Sequence, residues 1–176
     1  ALCVAGRGVS LDSEDYPAAA TAMVLLGAGA GSRLHQALRR DRSLAYTIQA
    51  DITPSAVAPV AAVLVTTGQD QIAQVETLVL EAIDRLGSET PSLEEVRAAK
   101  RYLMGQHALR HQRNGDLAHY LGLFELLGGA AGYRLDGLLP ARLAAVAPAD
   151  VSAMAAHMFR SRAVAARVST AARACS

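Results

Sequence analysis

The sequence predicts an α+β fold, a mostly antiparallel sheet with its helices packed on one face. Three observations lead there. Strand-like runs lie early and late in the chain, with helical runs stacked between them. Two of the early runs flank Pro54 and Pro59 and read as an antiparallel pair. Hydrophobic residues make up 52% of the 176 positions but aromatic ones only 4%, so alanine and leucine fill the core and favour helices.

The elements follow in order. Leu2 to Val9 is a strand, and Ser10 to Asp15 is a polar loop leading to Pro17, which suits a first helical turn. Ala18 to Leu26 is a helix, stopped by Gly27, Gly29 and Gly31. Ser32 caps a short helix from Arg33 to Arg40, with Leu34, Ala37 and Leu38 spaced i, i+3, i+4. Leu44 to Ile52 alternates as a half-buried strand, with Leu44, Tyr46, Ile48 and Ala50 on one face. Val60 to Thr67 is its partner. Gln71 to Leu86 is amphipathic, with apolar Ile72, Val75, Leu78, Val79, Ile83 and Leu86.

Ser92-Leu93-Glu94-Glu95 is a capping box that starts a long helix to about Arg113, where Asn114-Gly115 breaks it. Asp116 to Leu127, Tyr133 to Val146 and Ala149 to Phe159 are three more helices, the last opened by Pro148. Ala163 to Val168 is a final strand, and the tail after Ser169 is expected to fray.

Composition excludes several functions. A net charge of +1 creates no strong field toward nucleic acid or an anionic membrane, and aromatics are too few for a base-stacking surface. No apolar run approaches bilayer-spanning length. Residues 1–9 lack the basic start and long apolar region of a secretory signal, and the first residue is Ala. The chain therefore reads as a mature fragment or one half of a longer polypeptide. Cys3 and Cys175, near opposite ends, have no ligand spacing and read as free thiols.

The densest signal is Gly27 to Asp51. Gly29-Ala30-Gly31-Ser32-Arg33-Leu34, then Leu38-Arg39, then Leu44-Ala45-Tyr46 and an apolar strand, resembles the second, non-catalytic repeat of the pitrilysin and mitochondrial processing peptidase family. The family's glycine before Leu-Ala-Tyr is replaced here by Ser43. The Asp15-Tyr16 loop, the Leu93 to Lys100 run and the Pro148-Ala149-Asp150-Val151 run also fit. The resemblance covers nearly all of residues 1–176, as a single repeat with part of its first strand lying ahead of Ala1.

The resemblance implies a function. Family members pair two α/β repeats around an unfolded peptide. One repeat carries an inverted zinc motif, H-x-x-E-H, and a later Glu. The other supplies an Arg and a Tyr that hold the substrate's main chain, which here match Arg39 and Tyr46. Arg offers five fixed donors and a permanent charge, and a Tyr hydroxyl can donate to a carbonyl or a forming oxyanion. No H-x-x-E-H occurs in this chain. Zinc is thus expected in a catalytic H-x-x-E-H-bearing partner repeat, in the same polypeptide or a separate subunit, and no metal in this one. The expected ligand is an extended peptide, and self-pairing is a further option for an isolated repeat.

Two other readings stand beside this one. The same repeat also occurs in scaffold proteins resembling core subunits of respiratory complexes, which would make the chain a structural or assembly module. Alternatively, Gly27 to Gly31 could be a dinucleotide-binding loop fed by a strand, with Asp51 twenty residues past Gly31. His107 and His111, one helical turn apart, could chelate a metal, but the sequence offers no obvious third ligand. Asp116 and His119 lie near them with uncertain direction. His35, His119 and His157 are isolated.

Overall fold

The computed structural model describes residues 1–40, 43–55, 57–127, 132–160 and 164–168. β1 (Leu2–Arg7) leads into α1 (Tyr16–Gly27) and a short π-helix (His35–Arg40). β2 (Thr47–Thr53) and β3 (Val60–Thr66) form a hairpin. A 3-10 turn (Gln69–Gln71) opens α2 (Ile72–Ser88). Then come α3 (Leu93–Arg110), α4 (Asn114–Leu127), α5 (Arg134–Ala145), α6 (Pro148–Phe159) and β4 (Val164–Arg167). The sheet runs β2-β3-β1-β4 with every neighbour antiparallel. This is the α+β architecture expected, with the elements in the expected order.

The sheet is one-sided because its pleat alternates. Leu2, Val4, Ile48, Ala50, Ile52, Ala61, Val63 and Val65 are buried, and pack with the helices. α1 lies at the centre of that layer. Ten of its twelve residues are buried, and its alanines let β2, α3 and α6 approach closely. The other sheet face is polar along β2 but apolar around β1. The register sets Cys3 between Leu64 and Ala166, and Ala5 between Ala62 and Val164. Leu64 is 41% exposed and Val164 64%. Among the described residues, no single helix is long and apolar enough to cross a membrane.

The Ser92 capping box forms as read. Its hydroxyl accepts from the Glu95 N–H at 3.2 Å, and the Glu95 carboxylate accepts from the Ser92 N–H at 2.8 Å. Cys3 is a free thiol, whereas Cys175 and the tail after Ser169 lie outside the described residues.

Four local expectations are corrected. The helix after Ser32 is π-helical from His35 to Arg40. The strand expected from Leu44 begins at Thr47. Leu44 and Ala45 are both buried while Tyr46 is exposed, so Tyr46 does not share the face of Ile48. The cause is that the Leu44 N–H donates to the Leu38 carbonyl at 2.6 Å, which ties it to the helix end and not to the ladder.

α3 stops at Arg110, before Asn114-Gly115, which instead begin α4. There the His111 N–H turns to the Ala108 carbonyl, and the His111 ring takes the His107 carbonyl that the backbone would have used. Finally, Val24 to Gly27 is helix, and the glycine loop leaves the C-terminus of α1, not a strand. Among the described residues a strand-loop-helix dinucleotide unit is therefore not formed, and the antiparallel sheet has no parallel crossover to carry one.

Candidate functional site

The glycine run does three different things. Gly27 is a contact residue: a Cβ there would lie 2.7 Å from the Ala50 Cβ. Gly29 has φ +87°, a left-handed conformation that side chains disfavour, and its missing Cβ would face the Tyr102 ring at 3.5 Å. Gly31 meets nothing. The turn beyond is held from inside by Leu34 and Leu38, both fully buried. Arg33 projects sideways, and its Nε donates to Glu95 at 3.0 Å. That bond ties the π-helix region to the start of α3. Burial alone would pull the Glu95 pKa up. It is outweighed by hydrogen bonds from the Ser92 N–H and from Arg33, and by the Arg33 charge, so the carboxyl titrates below its usual range.

Leu44 is tied back to the π-helix by its N–H, which donates to the Leu38 carbonyl at 2.6 Å. Ser43, just before it, has φ +51° where the resembled family has glycine. The Arg39 backbone belongs to the π-helix, but its side chain lies outside the described residues. Tyr46 lies beyond Leu44. Its N–H donates to the Thr66 carbonyl at 2.8 Å, and the Leu44 carbonyl just before it accepts from the Thr67 hydroxyl at 2.6 Å. The Thr47 hydroxyl donates to Thr66 Oγ1 at 2.8 Å. The backbone is thus pinned on both sides of Tyr46, while the side chain is 71% exposed. Tyr46 directly precedes β2, an edge strand.

A cleft of about 440 Å³ opens on the helical side of β2, between α1, α3 and α5. Its polar lining includes Tyr16, Gln49, Asp51, Tyr102, Gln106 and Arg110. Burial pushes the Tyr16 phenol up, the Asp51 charge adds to that, and Arg110 opposes it. Gly27 and Gly29 form part of the wall, so the absence of side chains there keeps the cleft open.

The structure also supplies what the histidine pair lacked in sequence. His107 Nδ1 lies 3.5 Å from Asp136 Oδ1, and His111 Nε2 lies 2.7 Å from Asp136 Oδ2. Asp136 is in the first turn of α5 and is buried. It was invisible to spacing because it follows His111 by 25 residues, across a loop and another helix. Desolvation holds the His107 imidazole below its usual pKa. The bond to the His107 carbonyl, then that to Asp136, raise His111.

Comparison with known proteins places these features in a family. Residues 1–103 match the family model of the peptidase M16 inactive domain. No functionally curated protein matches the chain. A peptidase M16 inactive domain from Pseudomonas fluorescens superposes with a TM-score of 0.77 at 23% identity, over 89% of this chain and 37% of that one. A protease from Helicobacter pylori gives 0.79 at 14% identity, over 90% of this chain and 38% of that one. An inactive peptidase domain from Bordetella parapertussis, whose name assigns it to a zinc protease, gives 0.80 at 17% identity, over 95% of this chain and 90% of that one. This chain therefore spans little more than a third of the longer relatives and nearly all of the isolated domain. The one-sided antiparallel sheet, the glycine-to-tyrosine block and the family match agree: the chain belongs to the M16 peptidase family, as a domain of its inactive type.

Proposed function

We propose that this domain is the substrate-holding half of a zinc-dependent metalloendopeptidase, and that Arg39 and Tyr46 grip the main chain of an extended peptide. The observation that carries this reading is Tyr46. An exposed phenol on a backbone pinned by two hydrogen bonds is poor packing but good positioning: little backbone freedom remains to be lost when it binds. Its place beside edge strand β2 suits an extended ligand, whose main-chain groups give affinity with little side-chain selection.

The chemistry of cleavage belongs to a partner. With no H-x-x-E-H in the sequence, this half supplies neither the zinc ligands nor the glutamate base. It supplies a cation and a hydroxyl donor, which orient the peptide and stabilise the negative charge that develops on the scissile carbonyl. The partner repeat brings zinc and its activated water, in the same polypeptide or as a separate subunit. The test is peptide turnover by the assembled pair, with Tyr46→Phe and Arg39→Ala compared with wild type. Unchanged turnover in both variants would refute the assignment.

A scaffold role is favoured by one specific observation, the apolar open face of the sheet around Cys3, Ala5, Leu64 and Val164. Such a face associates with another surface whether or not a peptide is cut. The two readings separate on turnover, since a scaffold assembles and cleaves nothing.

A further inference from the structure

We propose that His107, His111 and Asp136 form a three-ligand site for a divalent transition metal of the zinc class, clamping the end of α3 to the start of α5. The two histidines stand one turn apart at the C-terminus of α3, with ring centroids 4.3 Å apart, and the aspartate faces them from α5. The three ligand atoms all lie within 4.8 Å of one another. Zinc with bonds of about 2.0–2.1 Å sets tetrahedral ligands roughly 3.3 Å apart. The 3.5 Å between His107 Nδ1 and Asp136 Oδ1 already matches that span. His111 Nε2 lies 2.7 Å from the other carboxylate oxygen, Asp136 Oδ2, so the carboxylate must turn to present one oxygen to an ion held by both rings.

The decisive detail is the orientation of His111. Its Nδ1 lies 2.8 Å from the His107 carbonyl oxygen, an acceptor, so Nδ1 carries the proton. Its Nε2 is then aimed at a carboxylate oxygen, which is also an acceptor. Two lone pairs that close require a positive centre between them, either a proton or a metal. A ring that gives its far N–H to a backbone carbonyl is in the tautomer that metal-binding imidazoles use. Asp136 fits the same reading. Its carboxylate is buried, and among the described residues its partners are these two histidines alone.

The surroundings allow a cation. Arg110 lies next to His111 in sequence, but its guanidinium is drawn onto the Tyr120 ring, 4.3 Å from the centroid. Two neutral imidazoles and one carboxylate bring one negative charge to a dication. The N₂O donor set favours zinc, cobalt or nickel over calcium or magnesium. His111 is 35% exposed, which leaves water access to a fourth position. The ligands come from two helices, so a bound ion holds the end of α3 to the start of α5. It is separate from the zinc expected in the partner half, and it does not depend on the peptide-holding role of Arg39 and Tyr46.

The test uses the chain stripped by a chelator and titrated with Zn²⁺ by calorimetry, then with Co²⁺ by visible absorption. The expected result is one equivalent bound per chain, a tetrahedral cobalt spectrum without a thiolate band, and a rise in Tm on metal addition. His111→Gln, His107→Gln and Asp136→Asn should each weaken binding at least tenfold, while His119→Gln leaves it unchanged. Far-UV circular dichroism checks that each variant folds, and the wild-type titration stands by itself if one does not. Absence of saturable binding up to millimolar metal would overturn the proposal. So would a thiolate band in the cobalt spectrum, or wild-type affinity in all three ligand variants.

Discussion

Gly27 is the position where the fold can be tested most sharply, by replacement with alanine. The added methyl would lie 2.7 Å from the Ala50 Cβ, and 3.5 Å from both the Ala50 nitrogen and Ile48 Cγ2. Carbon atoms in contact sit about 3.5–4.0 Å apart, so roughly 1 Å of separation must be found. Neither side yields cheaply. Gly27 closes the buried helix α1, and Ala50 lies mid-strand, paired with Val63. In an open helix the same change would stabilise by about 0.5–1 kcal/mol. Over-packing costs about 1–3 kcal/mol, so a net loss of about 0.5–2 kcal/mol is expected.

At about 2–4 °C per kcal/mol for a domain of this size, Tm should fall by a few degrees. Ala50→Gly alone loses a buried methyl and loosens the strand, at about 1–2 kcal/mol. Together the two changes should cost less than their sum by about 1–2 kcal/mol, because the second makes room for the first. Urea unfolding of the four proteins gives that coupling energy directly. A Tm raised by Gly27→Ala, or additivity within about 0.5 kcal/mol, would refute the close-contact explanation.

Three further outcomes follow. Ser43→Gly relieves a non-glycine residue at φ +51° and should raise stability by up to about 1 kcal/mol, whereas Ser43→Val should lower it by about 1–2 kcal/mol; thermal melts of the two variants check this. Ser92→Ala removes the α3 cap and should cost about 1 kcal/mol in urea unfolding. The Glu95 carboxyl is depressed below its ordinary 4.5, so its contribution is fully present above that pH and is lost as pH falls through the lower folded value. Glu95→Gln should flatten the stability curve in that acid window and leave its shape above pH 5 unchanged; a curve equally steep below pH 4.5 would contradict the assignment.

Much of this fold is legible in sequence because its signals are local. The capping box at Ser92, the prolines at 17 and 148, and the alternation from Ile48 onward each act within a few residues, and each predicted element appears. What sequence missed depends on contacts across the chain. Leu34 and Leu38, four residues apart, read as an α-helical stripe, yet the turn between them widens into a π-helix that the Leu44–Leu38 hydrogen bond closes. Extending the strand alternation backward puts Tyr46 on the buried face, but the paired register begins only at Thr47. Arg33 and Glu95, which stand in two separate runs of the sequence, meet as one ion pair across 62 residues. Asp136 carried no local signal at all. Arg39 and Tyr46 both follow from the family pattern alone, and the exposure of Tyr46 on a hydrogen-bonded backbone is what the structure adds.

Peptide turnover tests the central claim most directly. An unstructured fluorogenic peptide and zinc would be given to this chain alone, then to this chain with its H-x-x-E-H-bearing half, using wild type, Arg39→Ala and Tyr46→Phe. The account predicts turnover only in the mixture, falling at least tenfold in each variant while the halves still associate and Tm stays unchanged. Wild-type turnover in both variants, or an assembled pair that cleaves nothing, would contradict it.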